Sequence, residues 1–188
     1  NLLRSMSPYL SSDFVNERFE FTGKFLSGQK VNKPRWKRVQ ATTSAALGEA
    51  IGQLYAEKYF PPEAKEKALK IVGALKVSMK ESIEGLEWMT DETKKQALIK
   101  LDAFGLKIGY PDKWTDYSEF NVKNDSFVEN IFASNYFDHK ETLAKINKPV
   151  RDWEWPLTPQ TVNAGYSPTK NEIIFPAAIL QSPFFNVN

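Results

Sequence analysis

Asn163 and Ala164 open the stretch VNAGYSPTKNEIIFPAAILQ, residues 162–181, and a carboxamide at the head of a strand can do a definite kind of chemistry. An Asn side chain offers two donors and an acceptor, so it can engage both the C=O and the N–H of another peptide without reading that peptide's side chains. Residues 162–166 and 172–175 pattern as two strands, and the segment between them supplies Pro168 and Asn171 where a turn wants them. One strand of such a hairpin is an edge. An extended peptide can add to an edge through main-chain hydrogen bonds alone. The commoner role of a polar residue beside a turn is to pin its own loop, and on the residues alone both roles stand. The apolar runs Ile173-Ile174-Phe175 and Ala177-Ala178-Ile179-Leu180 read mainly as core, with a few side chains free to line a specificity pocket.

Other candidate chemistry is narrowed by what is missing. The 188 residues contain no Cys, which excludes disulfides, thiolate zinc sites and Cys nucleophiles, and a single His, His139, cannot build a conventional zinc site from this chain's own residues. Asp138-His139-Lys140-Glu141 reads as a solvated helix face, because adjacent helical positions point in different directions. Asn124-Asp125-Ser126 fits a glycosylation pattern, but Ser126 is already explained as a helix cap. Arg35-Trp36-Lys37-Arg38 is a small basic cluster whose expected role is structural ion pairing. The formal charge of +2 gives no electrostatic reason to expect nucleic acid or an anionic membrane as partner. No run of 18 apolar residues and no basic-then-apolar leader occurs, so no membrane span is expected. Both ends, Asn1 and Val187-Asn188, read as cut, and the chain is expected to be part of a longer protein.

The elements that must hold the hairpin are mostly helical. Pro34 offers a helix start, and the pattern runs on through Thr42 and Ser44 into Leu47, Ile51, Leu54 and Tyr55, ending before Pro61-Pro62. The same prolines open the next helix, with Glu63 and Glu66 at its positive end and Ala64, Ala68, Ile71, Val72, Leu75 and Met79 as its apolar stripe. Thr90 is the predicted N-cap of a third helix, Gly105 its stop, and residues 106–110 alternate as a short strand. Ser126 and Glu129 are spaced as a capping box for a helix running to Ile146, before Pro149. From Pro149 onward prolines recur and the apolar period becomes two. The fold class is therefore α+β, with a helical part at 1–148 and a β and loop part at 149–188.

The ordered motifs carry a resemblance. Residues 162–181 closely resemble the neprilysin family (M13) of zinc metallopeptidases, and within it the bacterial PepO-type oligopeptidases. That family has an Asn-Ala-aromatic-Tyr strand, a strand ending in Phe-Pro-Ala, and then Ile-Leu-Gln. Pro34-Arg35-Trp36-Lys37-Arg38, Leu47-Gly48-Glu49-Ala50, Gly52-Gln53-Leu54-Tyr55, Glu57-Lys58-Tyr59-Phe60 and residues 107–114 follow in the family's order. The resemblance implies a zinc endopeptidase for oligopeptides, with zinc held by an HExxH helix and a further glutamate, none of which occurs in this chain. Zinc would be bound by the remainder of the polypeptide, and this segment by itself would be inactive and hold no catalytic residue. By the same resemblance Asn163 and Ala164 bind the substrate backbone, while Ile179 and Phe184 line the pocket for the apolar side chain just after the scissile bond. Residues 1–148 would belong to the helical lobe that restricts access, and 149–188 to the substrate-binding edge of a thermolysin-like catalytic lobe. Gly165 departs from the family, standing where it has Tyr or Phe. Absence of Cys fits a bacterial member, cytoplasmic or of the cell envelope. The rival expectation is a non-catalytic peptide-binding module using the same edge.

Overall fold

Proline, glycine and hydroxyl caps set most element boundaries in the computed structural model, which describes residues 1–187. The chain divides into two compact units, each built from two separate stretches.

The first unit comprises Asn1–Gly48 and Asp116–Val150. It contains α1 (Leu2–Met6), a single 3-10 turn, and α2 (Ser12–Arg18), which runs straight into a π-helical stretch at Phe19–Leu26. The unit is completed by α3 (Arg35–Ala46) and α7 (Phe127–Leu143). Ser126 caps α7 as the sequence predicts, its hydroxyl accepting from the Glu129 N–H at 3.3 Å. This helix ends at Leu143 rather than Ile146. Tight turns take over there, Asn147 turns left-handed at φ 56°, and the residue before Pro149 is disfavoured in helical backbone. The basic cluster at 35–38 makes no ion pair among the described residues. Lys37 lies over the Trp36 ring at 5.3 Å, and Arg38 Nε donates to the Lys33 carbonyl at 3.1 Å.

The second unit comprises Glu49–Thr115 and the residues from Arg151 onward. Its helices are α4 (Gly48–Tyr59, starting one residue earlier), α5 (Pro62–Gly85) and α6 (Asp91–Asp102). The expected continuous helix through residue 47 is two helices instead. Leu47 leaves helical backbone at φ −128°, ψ 42°, directly before Gly48, whose freedom in the unfolded chain makes continuation costly. Thr90 caps α6 as predicted, accepting from the Thr93 N–H at 3.3 Å.

Three strands complete this unit: β1 (Gly105–Gly109), β2 (Gly165–Ser167) and β3 (Glu172–Pro176). Their order is β1-β3-β2, with β3 parallel to β1 and antiparallel to β2. Helices and a small mixed sheet make the fold α+β, as the sequence implies. The core of the unit is Phe60 at the end of α4, Ala64 on α5 and Ala177 after β3, all essentially buried. Gly109 permits this packing, since at φ 81° any Cβ there would stand 2.6 Å from the Phe60 ring.

Candidate functional site

The hairpin places β2 at an edge of the sheet, with β3 on one side of it and no strand among the described residues on the other. Its register with β3 runs from Gly165 opposite Ile174 to Ser167 opposite Glu172. The turn is anchored by Asn171, which adopts φ 50°. Asn171 Nδ2 donates to the Lys100 carbonyl near the end of α6 at 2.8 Å, and its Oδ1 accepts from the Tyr166 hydroxyl at 3.1 Å. The Tyr166 ring stacks on Phe104 with centroids 6.0 Å apart. Together these contacts seat the hairpin against the end of α6 and against Phe104 just beyond it, while its approach at 162–164 stays exposed.

Asn163 and Ala164 lie just before β2 rather than inside it, so the strand is shorter at its start than its pattern predicts. The cause is local hydrogen bonding. The Asn163 N–H donates to the Thr161 carbonyl at 3.1 Å, and Asn163 Oδ1 accepts from the Ala164 N–H at 2.8 Å, which holds the segment off the ladder. Gly165 adjoins open space: a Cβ built there meets no atom within 4 Å.

Phe184 and Ile179 part company. Phe184, 74% exposed, lines an apolar cavity of about 570 Å³ together with Leu180, Phe185, Ile173, Phe175 and Leu75. Ile179 is half-buried in the turn after β3, where its N–H donates to the Pro176 carbonyl at 3.2 Å, and it is not part of that lining. The apolar stripe of α5 explains the cavity. Its first members, Ala64 and Ala68, are buried, while Ile71, Leu75 and Met79 are 47–62% exposed and form the cavity wall.

Two polar features escaped the sequence reading. Lys107 and Glu172 form an ion pair between β1 and β3, both less than a tenth exposed, and Lys107 Nζ also donates to the Asp152 carbonyl at 2.9 Å. Alternation along 106–110 sets Lys107 on the face opposite Leu106, Ile108 and Tyr110, and its burial there depends on an oppositely charged partner 65 residues away in sequence. The second feature is Tyr110, whose hydroxyl pKa is raised by partial burial, and further by Asp112 and Glu63. Lys65 Nζ sits 4.3 Å over the Tyr110 ring and reaches the Asp112 carboxylate at 2.7 Å.

No three of His, Cys, Asp and Glu gather as a metal site among the described residues, and His139 is exposed on α7. The donor set of this chain does not fit the zinc that the family resemblance implies, so no chemical step is assigned to a metal here. No helix among the described residues is long and apolar enough to cross a membrane.

Comparison with known proteins adds the family. The family model for the N-terminal part of peptidase family M13 matches residues 1–111. The chain is 34% identical over 192 residues to an endothelin-converting enzyme homolog of Locusta migratoria, covering 98% of this chain and 26% of that protein. It is 36% identical over 193 residues to endothelin-converting enzyme 1 of Homo sapiens, covering 98% and 25% respectively. Among solved structures, the open state of the zinc metalloprotease Zmp1 of Mycobacterium tuberculosis superposes with a TM-score of 0.92 at 43% identity, over all of this chain and 29% of that one. PepO of Lactobacillus rhamnosis superposes at 0.88 with 27% identity, over 97% of this chain and 29% of that one. The chain thus spans about a quarter of the length of the curated relatives it matches. With more than half of its residues under the family model and both animal and bacterial relatives aligned along nearly its whole length, the chain belongs to peptidase family M13.

Proposed function

We propose that in the full-length protein this chain supplies the substrate-binding edge of a zinc endopeptidase that cleaves oligopeptides on the amino side of apolar residues. The observation that carries this reading is the sheet order: β2 is an edge strand, entered through the exposed pair Asn163-Ala164, in a chain of family M13. A peptide lying along that edge gains main-chain hydrogen bonds, and Asn163 and Ala164 clamp its backbone. The Asn163 side chain makes no hydrogen bond among the described residues beyond that to its neighbour's N–H, so its Nδ2 is free to donate to a peptide C=O. Phe184, in the apolar cavity wall, supports the preference for an apolar side chain after the scissile bond, whereas the same role for Ile179, which does not line that cavity, rests on the family resemblance alone.

Zinc is held by the remainder of the polypeptide, and the segment by itself is inactive. The exposed Ile71, Leu75 and Met79 suit packing against that remainder. We assign 149–188 to the catalytic lobe, the boundary near 148 lying where the chain passes from the first unit to the second, and Glu49–Thr115, which shares the sheet, goes with it, leaving the rest of 1–148 to the lobe that restricts access to the cleft.

The test is Asn163→Ala in the full-length enzyme. Loss of one or two neutral hydrogen bonds lowers kcat/KM by the equivalent of about 1–3 kcal/mol, with the thermal midpoint unchanged. An unaltered kcat/KM removes the assigned role, and an intact protein that binds peptides without hydrolysing them is a binding module instead.

A further inference from the structure

We infer that the buried Lys107–Glu172 ion pair, seated against Gly105, sets the register of β3 and through it the placement of the peptide-binding edge, so that both residues position the substrate without touching it. The inference rests on the reading of Asn163-Ala164 as the substrate clamp.

β3 needs such a device. Its sequence, EIIFP, is apolar on both faces: Ile174 is buried on one, while Ile173 and Phe175 line the cavity on the other. Hydrophobic patterning specifies register only where one face is polar, and a one-residue slip of this strand exchanges apolar for apolar. Charge does discriminate. In the observed register Glu172 lies opposite Gly105, and Lys107, two residues further along β1, shares its face. A slip by one residue turns the Glu172 carboxylate to the opposite face and leaves two buried charges apart, a heavily penalised arrangement.

Sterics act in the same sense. A Cβ at residue 105 would stand 2.9 Å from the Glu172 Cβ, so the Glu172 side chain crosses β1 where β1 has no side chain. Moving Ile173 or Asn171 opposite Gly105 loses that fit. Lys107 also holds the Asp152 carbonyl, which ties the start of the second stretch of this unit to the same point.

The consequence reaches the edge because β2 pairs with β3 alone. Ser167, Glu172 and Gly105 stand abreast across the three strands, so any displacement of β3 displaces β2 with it. A step of one residue is about 3.3 Å along the strand, enough to take Asn163 out of hydrogen-bond reach of a peptide held at a fixed catalytic centre. A buried pair of this kind is usually replaceable by apolar residues without loss of stability, which makes specificity its separable contribution.

The experiment uses the full-length enzyme and an oligopeptide substrate. Lys107→Met combined with Glu172→Leu removes the charges and keeps the volume. The expected result is a thermal midpoint near that of the parent, KM raised about tenfold, and kcat changed by less than about twofold. In an Asn163→Ala background the same pair of substitutions adds less than about a twofold further loss, because the contact it positions is already gone. Gly105→Ala provides a second route that keeps both charges: its Cβ displaces Glu172, and KM rises again. A parental KM in either the charge-free or the Gly105→Ala enzyme overturns the inference. If Asn163→Ala is impaired while these enzymes bind normally, only the positioning role falls; if Asn163→Ala is itself unimpaired, the edge-strand reading falls and takes the positioning role with it.

Discussion

Asn163 pins its own loop and, under the proposed function, keeps its amide N–H donors for a peptide. Its Oδ1 is spent on the Ala164 N–H, as a loop-pinning residue would do, and this same bond keeps the pair exposed at the head of the edge strand. Gly165 next to it leaves space rather than filling a steric need, since no atom lies within 4 Å of a Cβ there. Gly165→Phe is therefore expected to change stability by less than about 0.5 kcal/mol, and β-propensity favours the larger residue. Restoring the aromatic wall lowers KM about two- to tenfold for peptides with an aromatic side chain beside it, the worth of one aromatic pair. Steady-state kinetics with matched aromatic and alanine peptides checks this, and equal effects on both peptides would refute the wall. Tyr110 gives a pH prediction. Its folded pKa lies above the usual 10.0, so the stability it contributes is fully present below pH 10.0 and is lost as pH rises through the higher folded value. A difference-absorbance titration against Tyr110→Phe should place its midpoint above 10.0, and a midpoint at or below that value would contradict the burial seen here.

At the scale of elements, helix starts were more legible than helix ends. Thr90 and Ser126 are hydroxyl caps whose bonds to Thr93 and Glu129 are local, so sequence spacing alone specifies them. Thr90→Ala is expected to cost about 1 kcal/mol, measured as a fall in denaturation midpoint with unchanged m-value, and Thr90→Ser should restore most of it. A Thr90→Ala midpoint equal to the parent's would mean that α6 is held by packing alone. Ends and breaks depend on weaker preferences. The pattern of apolar residues runs unbroken through Leu47 because periodicity does not register the backbone change at a Leu-Gly pair. The length of β2 was overestimated for a related reason: Asn163 and Thr161 offered the backbone bonds that compete with the ladder, and the apolar alternation does not weigh them.

The whole molecule adds what no segment contains. The unit that holds the candidate site draws on Glu49–Thr115 and on the chain beyond Arg151, so its sheet closes only when β3 arrives beside β1 from far along the sequence. A chain ending at Val150 is expected to lack this sheet: the amides of Gly105–Gly109 should exchange at unfolded-chain rates, whereas in the longer chain those bonded to β3 are protected. Protection in the short chain would show that β1 does not depend on β3. Phe60, 1% exposed, would lose Ala177 as its cover in the same truncation.

By itself the sequence determined the class, the helices α5, α6 and α7 in their order, the caps of two of them, the hairpin with its edge and the family, because propensity, capping and motif spacing are local and are written in contiguous residues. Tertiary structure alone decided that Lys107 is buried on Glu172, that Phe184 and the far half of the α5 stripe share a cavity from which Ile179 is absent, and that two interleaved units divide the chain. The physical reason is the same in each case: burial and pairing are set by partners tens of residues away, and neither an alternating pattern nor a motif records which of them will meet.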